Sequence, residues 1–405
     1  MSFSGEESLQ DIFDKGFEQF VTDLHALTDN VLRQRMVDKF MRQIKNSTYP
    51  LFENDTTAIL LHQGDVNTVT IIGDMTCWAD EIAFRRVYGT NLFYFIQKFE
   101  SDARVEYLIK TDKMEQPGPD PLNSCIVHNG FGPNSELAMP GYQKSDVFNS
   151  YAAGQKGEYS KLEKLEIHSR ILAYAHEIFV YTPPEYTGRE KAYPTIYIQD
   201  GRDYIEFAVT PVVIEDLISS NQIEPVIAVF INPPNRHLPD QPNRMTEYGL
   251  NDNYVNFMAD ELAPFIASKF RTKNQPDSRL VVGDSFGGLI SAYVPFFRHD
   301  VFGLGYSQSG YLSFEDDKLI KEFQAAERKQ IKLFVDIGVY ETIVGADLLP
   351  QKETDFLSAN RRFNDVLRQK KYDFVYREYP EGHTWGNWRR HIIDALIHFF
   401  PLANQ

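Results

Sequence analysis

The sequence predicts an α/β domain on a mostly parallel sheet over residues 161–405. Ahead of it stand a helical arm (1–50), a small all-β sandwich (51–145) and a linker (146–160). Three observations carry this. Strand-length and helix-length segments alternate through the C-terminal part, the pattern of a parallel sheet layered with helices. Several of the strand-length runs are nearly continuous in apolar residues, as burial of both sheet faces requires. Finally, Leu280-Val281-Val282-Gly283-Asp284-Ser285-Phe286-Gly287-Gly288-Leu289 passes from an apolar strand through G-x-S-x-G into a helix-like run. That is the pattern of a nucleophile elbow.

Taken in order, Leu9, Ile12, Phe13, Phe17, Phe20, Val21, Leu24 and Leu27 recur at helical spacing, and a second run spans Val31 to Ile44. Pro50 closes this arm, which reads as packing without chemistry. Residues 58–62, 66–72, 92–99 and 103–110 read as strands between turn residues, hence a sandwich. Trp78, in Cys77-Trp78, reads as the core tryptophan of that sandwich, with a sugar platform as the alternative. Polar residues 143–160, with Gly154 and Gly157, read as the connection. A hairpin of strands follows at 167–173 and 176–181, stopped by Pro183-Pro184. Further strands are expected at 193–199, 225–231, 279–282, 331–337 and 373–379. Helices are expected at 209–219, 253–270, 289–297, 353–369 and 385–400.

The chain of 405 residues exceeds one ordinary core, so two domains plus extras are expected. A net charge of −16 offers no broad basic surface, which argues against nucleic-acid or anionic-membrane partners. Cys77 and Cys125, the two cysteines, form neither a disulfide framework nor a metal pattern. The acidic N-terminus lacks the basic start and apolar core of a signal peptide, and no apolar run reaches the length of a membrane span. The expectation is a soluble cytoplasmic protein.

Chemistry converges on Ser285. A serine hydroxyl is a weak nucleophile and needs a base. His383, in Tyr379-Pro380-Glu381-Gly382-His383-Thr384-Trp385, follows the strand at 373–379 and so falls at the carboxyl edge of the sheet. The elbow serine lies on that same edge. His299, His391 and His398 fall in helical or post-helical contexts and read as structural. The base needs an orienting acid between serine and histidine in chain order. Glu341, in the loop after the strand Lys332 to Ile337, is the first candidate. Asp347 and Asp355 are runners-up, and a serine–histidine dyad is a further possibility. Asp336 sits inside the strand and would point into a face. For the oxyanion, the amide of Phe286 follows the nucleophile, and a second donor is expected near Gly201 or Arg202 in the Asp200-Gly201 loop. The stretch 232–253, with Arg236, His237, Arg244 and Glu247, reads as a substrate wall, with a solvated loop as the alternative.

On these residues the chain resembles the putative-esterase family of α/β-hydrolases. The similarity is carried by the Asp200-Gly201 loop, Asn243-Arg244-Met245-Thr246-Glu247, Asp260-Glu261-Leu262-Ala263-Pro264 and Gly283-Asp284-Ser285-Phe286-Gly287-Gly288. Ser307-Gln308-Ser309-Gly310, the Gly338 to Glu341 turn and Glu381-Gly382-His383-Thr384-Trp385 complete it. The resemblance spans roughly 165–400 and includes enterochelin (ferric siderophore) esterases and feruloyl and acetyl-xylan esterases. The β-module at 51–145 is similar to the immunoglobulin-like module that precedes such catalytic domains.

The resemblance implies a serine ester hydrolase with an acyl-enzyme mechanism and no metal or cofactor. Ser285 would be the nucleophile and His383 the base, with Glu341 where enterochelin esterases carry an acidic residue. Arg236, Arg244 and Trp385 would contact a small-molecule ester substrate. A siderophore trilactone is the first substrate implied, and a feruloyl or acetyl sugar ester is the alternative. Because iron-bound siderophores are anionic, the cations able to face one are Arg202, Arg236, Arg244, Arg389 and Arg390. A hydrolase-fold binding scaffold without activity is the rival from a different functional class. The oligomeric state is not encoded in any of these signals.

Overall fold

The structure, a computed structural model, describes residues 15–130, 132–145, 147–148, 162–186, 190–234, 242–345 and 347–402. The chain forms two compact units, Met1–Gln143 with Pro380–Gly382, and Lys144–Tyr379 with His383–Gln405. The arm and the β-module thus share one unit. The linker expected at 146–160 falls almost wholly outside the described residues.

In the first unit, helices Phe17–Ala26 and Asn30–Ile44 bury an aromatic cluster in which Phe17, Phe20 and Phe40 meet at 4.7–6.0 Å. Asp29 separates the two helices, accepting from the Val31 amide at 2.7 Å as an N-cap. Nine strands follow: β1 (Leu51–Asn54), β2 (Thr57–Gln63), β3 (Val69–Gly73), β4 (Ile82–Ala83), β5 (Arg85–Arg86), β6 (Leu92–Lys98), β7 (Arg104–Thr111), β8 (Ile126–Asn129) and β9 (Gly132–Ala138). They form two antiparallel sheets, β1-β2-β6-β5 and β4-β3-β7-β9-β8. The strands at 51–54, 82–83, 85–86, 126–129 and 132–138 are additions to those expected. Arg104 is buried between Glu106 (2.8 Å) and Glu136 (2.9 Å). A buried charge is tolerable only when paired in this way. The Arg104 amide donates to the Pro380 carbonyl at 3.1 Å. Trp78 donates its indole N–H to Asp74 at 2.8 Å and is half-buried.

The second unit is an eight-stranded sheet. Its strands are β10 (Leu162–His168), β11 (Ala175–Tyr181), β12 (Thr195–Ile198), β13 (Ile227–Ile231), β14 (Arg279–Asp284), β15 (Leu304–Gln308), β16 (Lys332–Gly338) and β17 (Asp373–Tyr379). The order is β10-β11-β13-β12-β14-β15-β16-β17. The first three strands pair antiparallel and β12 through β17 run parallel with β13. This is the α/β-hydrolase arrangement. Alternate residues of one strand enter opposite cores. Val281 packs with the helices at 257–269, 286–297 and 356–369, while Leu280 and Val282 pack with those at 210–219 and 385–399. Each such fully buried side chain contributes roughly 1.5–3 kcal/mol.

The second unit departs from the expected pattern in several places. Strand β10 lies at Leu162–His168 where a strand was expected at 167–173, and helices Gly201–Glu206, Arg244–Tyr248 and Phe314–Ala325 were not expected. Two further elements differ for a physical reason. Strand β15 replaces what the sequence presents as a mixed polar stretch, Leu304-Gly305-Tyr306-Ser307-Gln308. Its polar side chain Gln308 is buried because Tyr204 donates to it at 2.7 Å and it donates to the Trp388 carbonyl at 2.9 Å. The helix expected over 253–270 divides into Asp252–Asn256, a π-helical turn at Phe257–Leu262 and Ala263–Lys269. Pro264 lacks an N–H and crowds the carbonyl four residues back, which widens the turn before it.

Candidate active site

Strand β14 delivers Ser285 at its carboxyl end, and the helix Phe286–Phe297 starts one residue later. Ser285 has φ +56° and ψ −116°, a conformation costing on the order of 1–3 kcal/mol for a residue with a side chain. Main-chain bonds enforce it. The Ser285 amide donates to Gln308 O at 2.9 Å, and the Ser285 carbonyl accepts from Tyr311 N and Leu289 N, each at 3.0 Å. Gly283 explains the sequence requirement, because a side-chain carbon there would lie 2.5 Å from the Gly287 carbonyl oxygen. Ser285 alone among residues 279–296 is not buried.

His383 lies just past β17 and keeps a side-chain exposure of 19%. Its Nδ1 lies 2.6 Å from Glu341 Oε2. Glu341 is fully buried, and its other oxygen accepts from Ser309 Oγ at 2.6 Å and from the Gly338 amide at 2.8 Å. Ser309 Oγ in turn accepts the Trp388 indole N–H at 2.9 Å. The rings of Phe356 (5.3 Å) and Trp388 (4.9 Å) meet the imidazole edge-on and fix its plane. Phe356 stacks on Tyr311, whose amide holds the Ser285 carbonyl. Among the described residues no hydrogen bond joins Ser285 Oγ to the His383 ring. Such catalytic bonds commonly close only in the substrate complex.

The runners-up for the acid are elsewhere. Asp347 is exposed, and Asp355 caps the helix Phe356–Gln369 through the Ser358 amide at 2.9 Å. Burial raises the Asp336 carboxyl to about 7, and Tyr306 donates to it at 2.5 Å.

At the other side of the elbow, the Asp200-Gly201 loop packs against Gly287. A side-chain carbon built on Gly287 would sit 3.2 Å from Asp200 Oδ2 and 3.4 Å from Gln199 Cβ. Phe286 opens its helix, so its amide has no intrahelical acceptor. Gly201 likewise opens the helix Gly201–Glu206, and a side chain there would meet the Phe230–Ile231 backbone at 2.6 Å.

A family model described as Putative esterase matches residues 169–399. The chain belongs to this family. Over 236 residues, 58% of this chain and 95% of the relative, the esterase is 26% identical to uncharacterized protein YjcH of Bacillus subtilis (strain 168). It is 21% identical over 346 residues to the iron(III) enterobactin esterase of Escherichia coli (strain K12), covering 78% of this chain and 81% of that one. Among solved structures, the enterobactin esterase FES from Shigella flexneri in the presence of enterobactin matches with a TM-score of 0.69 at 18% identity. That match covers 87% of this chain and 96% of the other and establishes the shared fold. The enzyme class this family gives is ester hydrolase.

Several residues of the esterase stand where the sequence did not put them. The Arg202 amide donates to Asn232 Oδ1 at 2.8 Å, so it is no oxyanion donor, and its side chain pairs with Glu177 on the surface. Of the two amides proposed for that loop, this leaves Gly201. The guanidinium of Arg244 is engaged by Asp200 at 2.7 Å. Trp385 is 7% exposed and packs edge-on to Tyr204 (5.2 Å) and Trp388 (5.0 Å) in the core. Glu247 is also internal, taking His176 and Tyr174 at 2.7 Å each. Arg236 and His237 lie outside the described residues. Ser309, which anchors Glu341, was visible only as part of Ser307-Gln308-Ser309-Gly310, with no residue type that declares such a role.

Among the described residues no group of three or more His, Cys, Asp or Glu side chains is arranged to hold a metal ion, and Cys77 and Cys125 form no disulfide. No helix among them is long and apolar enough to cross a membrane.

Proposed function

We propose that the esterase is a serine hydrolase acting through an acyl-enzyme, with Ser285 as nucleophile, His383 as general base and Glu341 as the orienting acid. The observation that carries this is the buried Glu341 carboxylate at 2.6 Å from His383 Nδ1, on the sheet edge that presents the strained Ser285. Held at Nδ1, the imidazole offers Nε2 to the serine proton. Ser285 Oγ attacks the ester carbonyl, and the Phe286 and Gly201 amides receive the oxyanion. Imidazolium then gives its proton to the departing alkoxide. A water molecule, deprotonated by His383, attacks the acyl-enzyme, and the released Ser285 oxygen recovers the proton.

For the substrate, the reading is a siderophore-type trilactone. Two relatives named iron(III) enterobactin esterase align with 78% of this chain and a third with 58%, and among solved structures an enterobactin esterase covers 87% of it where a ferulic acid esterase covers 59%. Hydrolysis rates on a panel test both levels: ferric and iron-free catecholate trilactones, feruloyl and acetyl sugars, and nitrophenyl esters. The trilactones are expected to give the highest kcat/KM, and Ser285→Ala is expected to lose about 10³-fold or more on every active substrate. A preference for feruloyl or acetyl sugars overturns the substrate class alone. A protein inert toward all of them matches the scaffold reading.

A further inference from the structure

The guanidinium of Arg244 is placed where it links two stretches of backbone. Its Nε lies 2.7 and 2.8 Å from the two carboxylate oxygens of Asp200. Its terminal nitrogen lies 2.7 Å from Asp200 Oδ2 and 3.0 Å from the main-chain oxygen of Asp284. Asp200 immediately precedes Gly201, and Asp284 immediately precedes Ser285 and Phe286. One rigid planar group therefore spans the two segments that carry the oxyanion donors in the reading above, on which this inference rests.

We infer that Arg244 is a positioning residue for the oxyanion hole: it sets the spacing between the Gly201 and Phe286 amides without touching substrate. The surroundings fit that role. Asp200 is buried and has φ +50°, a backbone that a residue with a side chain holds only when several contacts enforce it. The ion pair supplies one, and the Asp200 amide donates to the Tyr248 hydroxyl at 3.1 Å. The Arg244 guanidinium also lies over the rings of Tyr248 (5.4 Å) and Phe286 (5.9 Å), so it is confined on its faces as well as its edge. A planar fork can address a carboxylate and a carbonyl together, which a lysine ammonium on its flexible stem does not do in one fixed geometry. Asn243 caps the short helix Arg244–Tyr248 through the Thr246 amide at 3.1 Å, which fixes the point where the arginine departs.

The test is Arg244→Lys, with Tyr248→Phe as a milder second variant should the first not fold. Wild type, both variants and Ser285→Ala are compared for kcat and KM on a nitrophenyl ester, and for affinity toward an alkyl boronic acid. The boronic acid forms a tetrahedral adduct on Ser285 Oγ and places an oxygen in the oxyanion hole. Thermal melting confirms that each variant is folded at the assay temperature. Loss of one oxyanion donor costs about 10²–10³-fold in kcat, and Arg244→Lys is expected to approach that range with KM within about threefold of wild type. Boronate affinity should fall by a similar factor. Tyr248→Phe should shift both quantities in the same direction by a smaller amount. A raised KM with kcat intact means that Arg244 binds substrate, and overturns the inference. Unchanged kcat and boronate affinity in a folded variant reduces Arg244 to a purely structural ion pair and also overturns it. Normal turnover by Ser285→Ala removes the elbow reading and this inference with it, whereas an inactive Ser285→Ala beside a fully active Arg244→Lys removes only the inference.

Discussion

Glu341→Gln tests the acid without changing its volume. Glu341 Oε1 accepts from two donors, Ser309 Oγ at 2.6 Å and the Gly338 amide at 2.8 Å. The glutamine oxygen must stay on that side, since an amide NH2 facing the Gly338 N–H would be buried against a like donor. The NH2 is then directed at His383 Nδ1, 2.6 Å from the atom it replaces. It can only donate there, so Nδ1 becomes the acceptor and Nε2 carries the proton. That tautomer does not accept a proton from Ser285. The equivalent change in a serine protease triad lowers kcat about 10⁴-fold, or about 5 kcal/mol at 1.36 kcal/mol per factor of ten. We expect a loss of that order in kcat for nitrophenyl ester hydrolysis, with KM little changed. Asp347→Asn and Asp355→Asn are controls; the exposed Asp347 has no part in the site, and the Asp355 variant loses only a helix cap. If Glu341→Gln keeps most of its turnover, the orientation argument fails. Activity lost instead in a control assigns the acid there, and activity kept in all three leaves a Ser285–His383 dyad.

Gly283→Ala forces a methyl carbon to within 2.5 Å of the Gly287 carbonyl oxygen and 2.8 Å of its Cα. Because that backbone cannot withdraw, we expect a destabilisation on the order of 1–3 kcal/mol, seen as a lower Tm, together with loss of ester hydrolysis; an active variant of normal Tm contradicts the elbow packing. Asp336 gives a pH dependence. Burial raises its carboxyl from 3.8 to about 7, with the His391 charge and the Tyr306 hydrogen bond opposing. The folded chain therefore holds a proton that the unfolded chain has released between those values, so this residue's contribution to stability falls as pH rises toward 7 and is level above it. Asp336→Asn stays neutral throughout. Its stability relative to wild type should rise between pH 5 and pH 8, by at most about 3 kcal/mol for the roughly two units from pH 5 to the folded-state value at 1.36 kcal/mol per pKa unit, read as a relative gain in Tm, and a constant difference across that range refutes the assignment.

The parts of the site that were legible in the sequence are those that demand special residue types. Gly283 and Gly287 mark a backbone too close for a side chain, and a histidine one loop past the last strand can only face the same edge as the elbow. Glu341 was legible from chain order and its position after β16. What was not legible depended on tertiary partners. Strand β15 lacks an apolar run because Gln308 is satisfied by Tyr204 and Trp388, far away in sequence. Arg244 and Glu247 read as part of a substrate wall or a solvated loop because they sit in a long polar stretch, yet each is engaged inside the fold, by Asp200 and by His176 with Tyr174. Trp385 follows the histidine in sequence, but the helix it begins turns its ring into the core. The amide of Arg202 was one of two equivalent choices until Asn232, from the end of β13, claimed it.

The central claim is that the acyl group passes through Ser285. Rapid quenching during turnover of a catecholate trilactone, followed by tryptic digestion and mass spectrometry, reads it directly. The account predicts an acyl adduct with the mass of the ring-opened trilactone on the tryptic peptide Leu280–Arg298, which contains Ser285. It also predicts that Ser285→Ala shows neither the adduct nor more than about 10⁻³ of the turnover. An adduct on another residue, or near-normal turnover by Ser285→Ala, contradicts it.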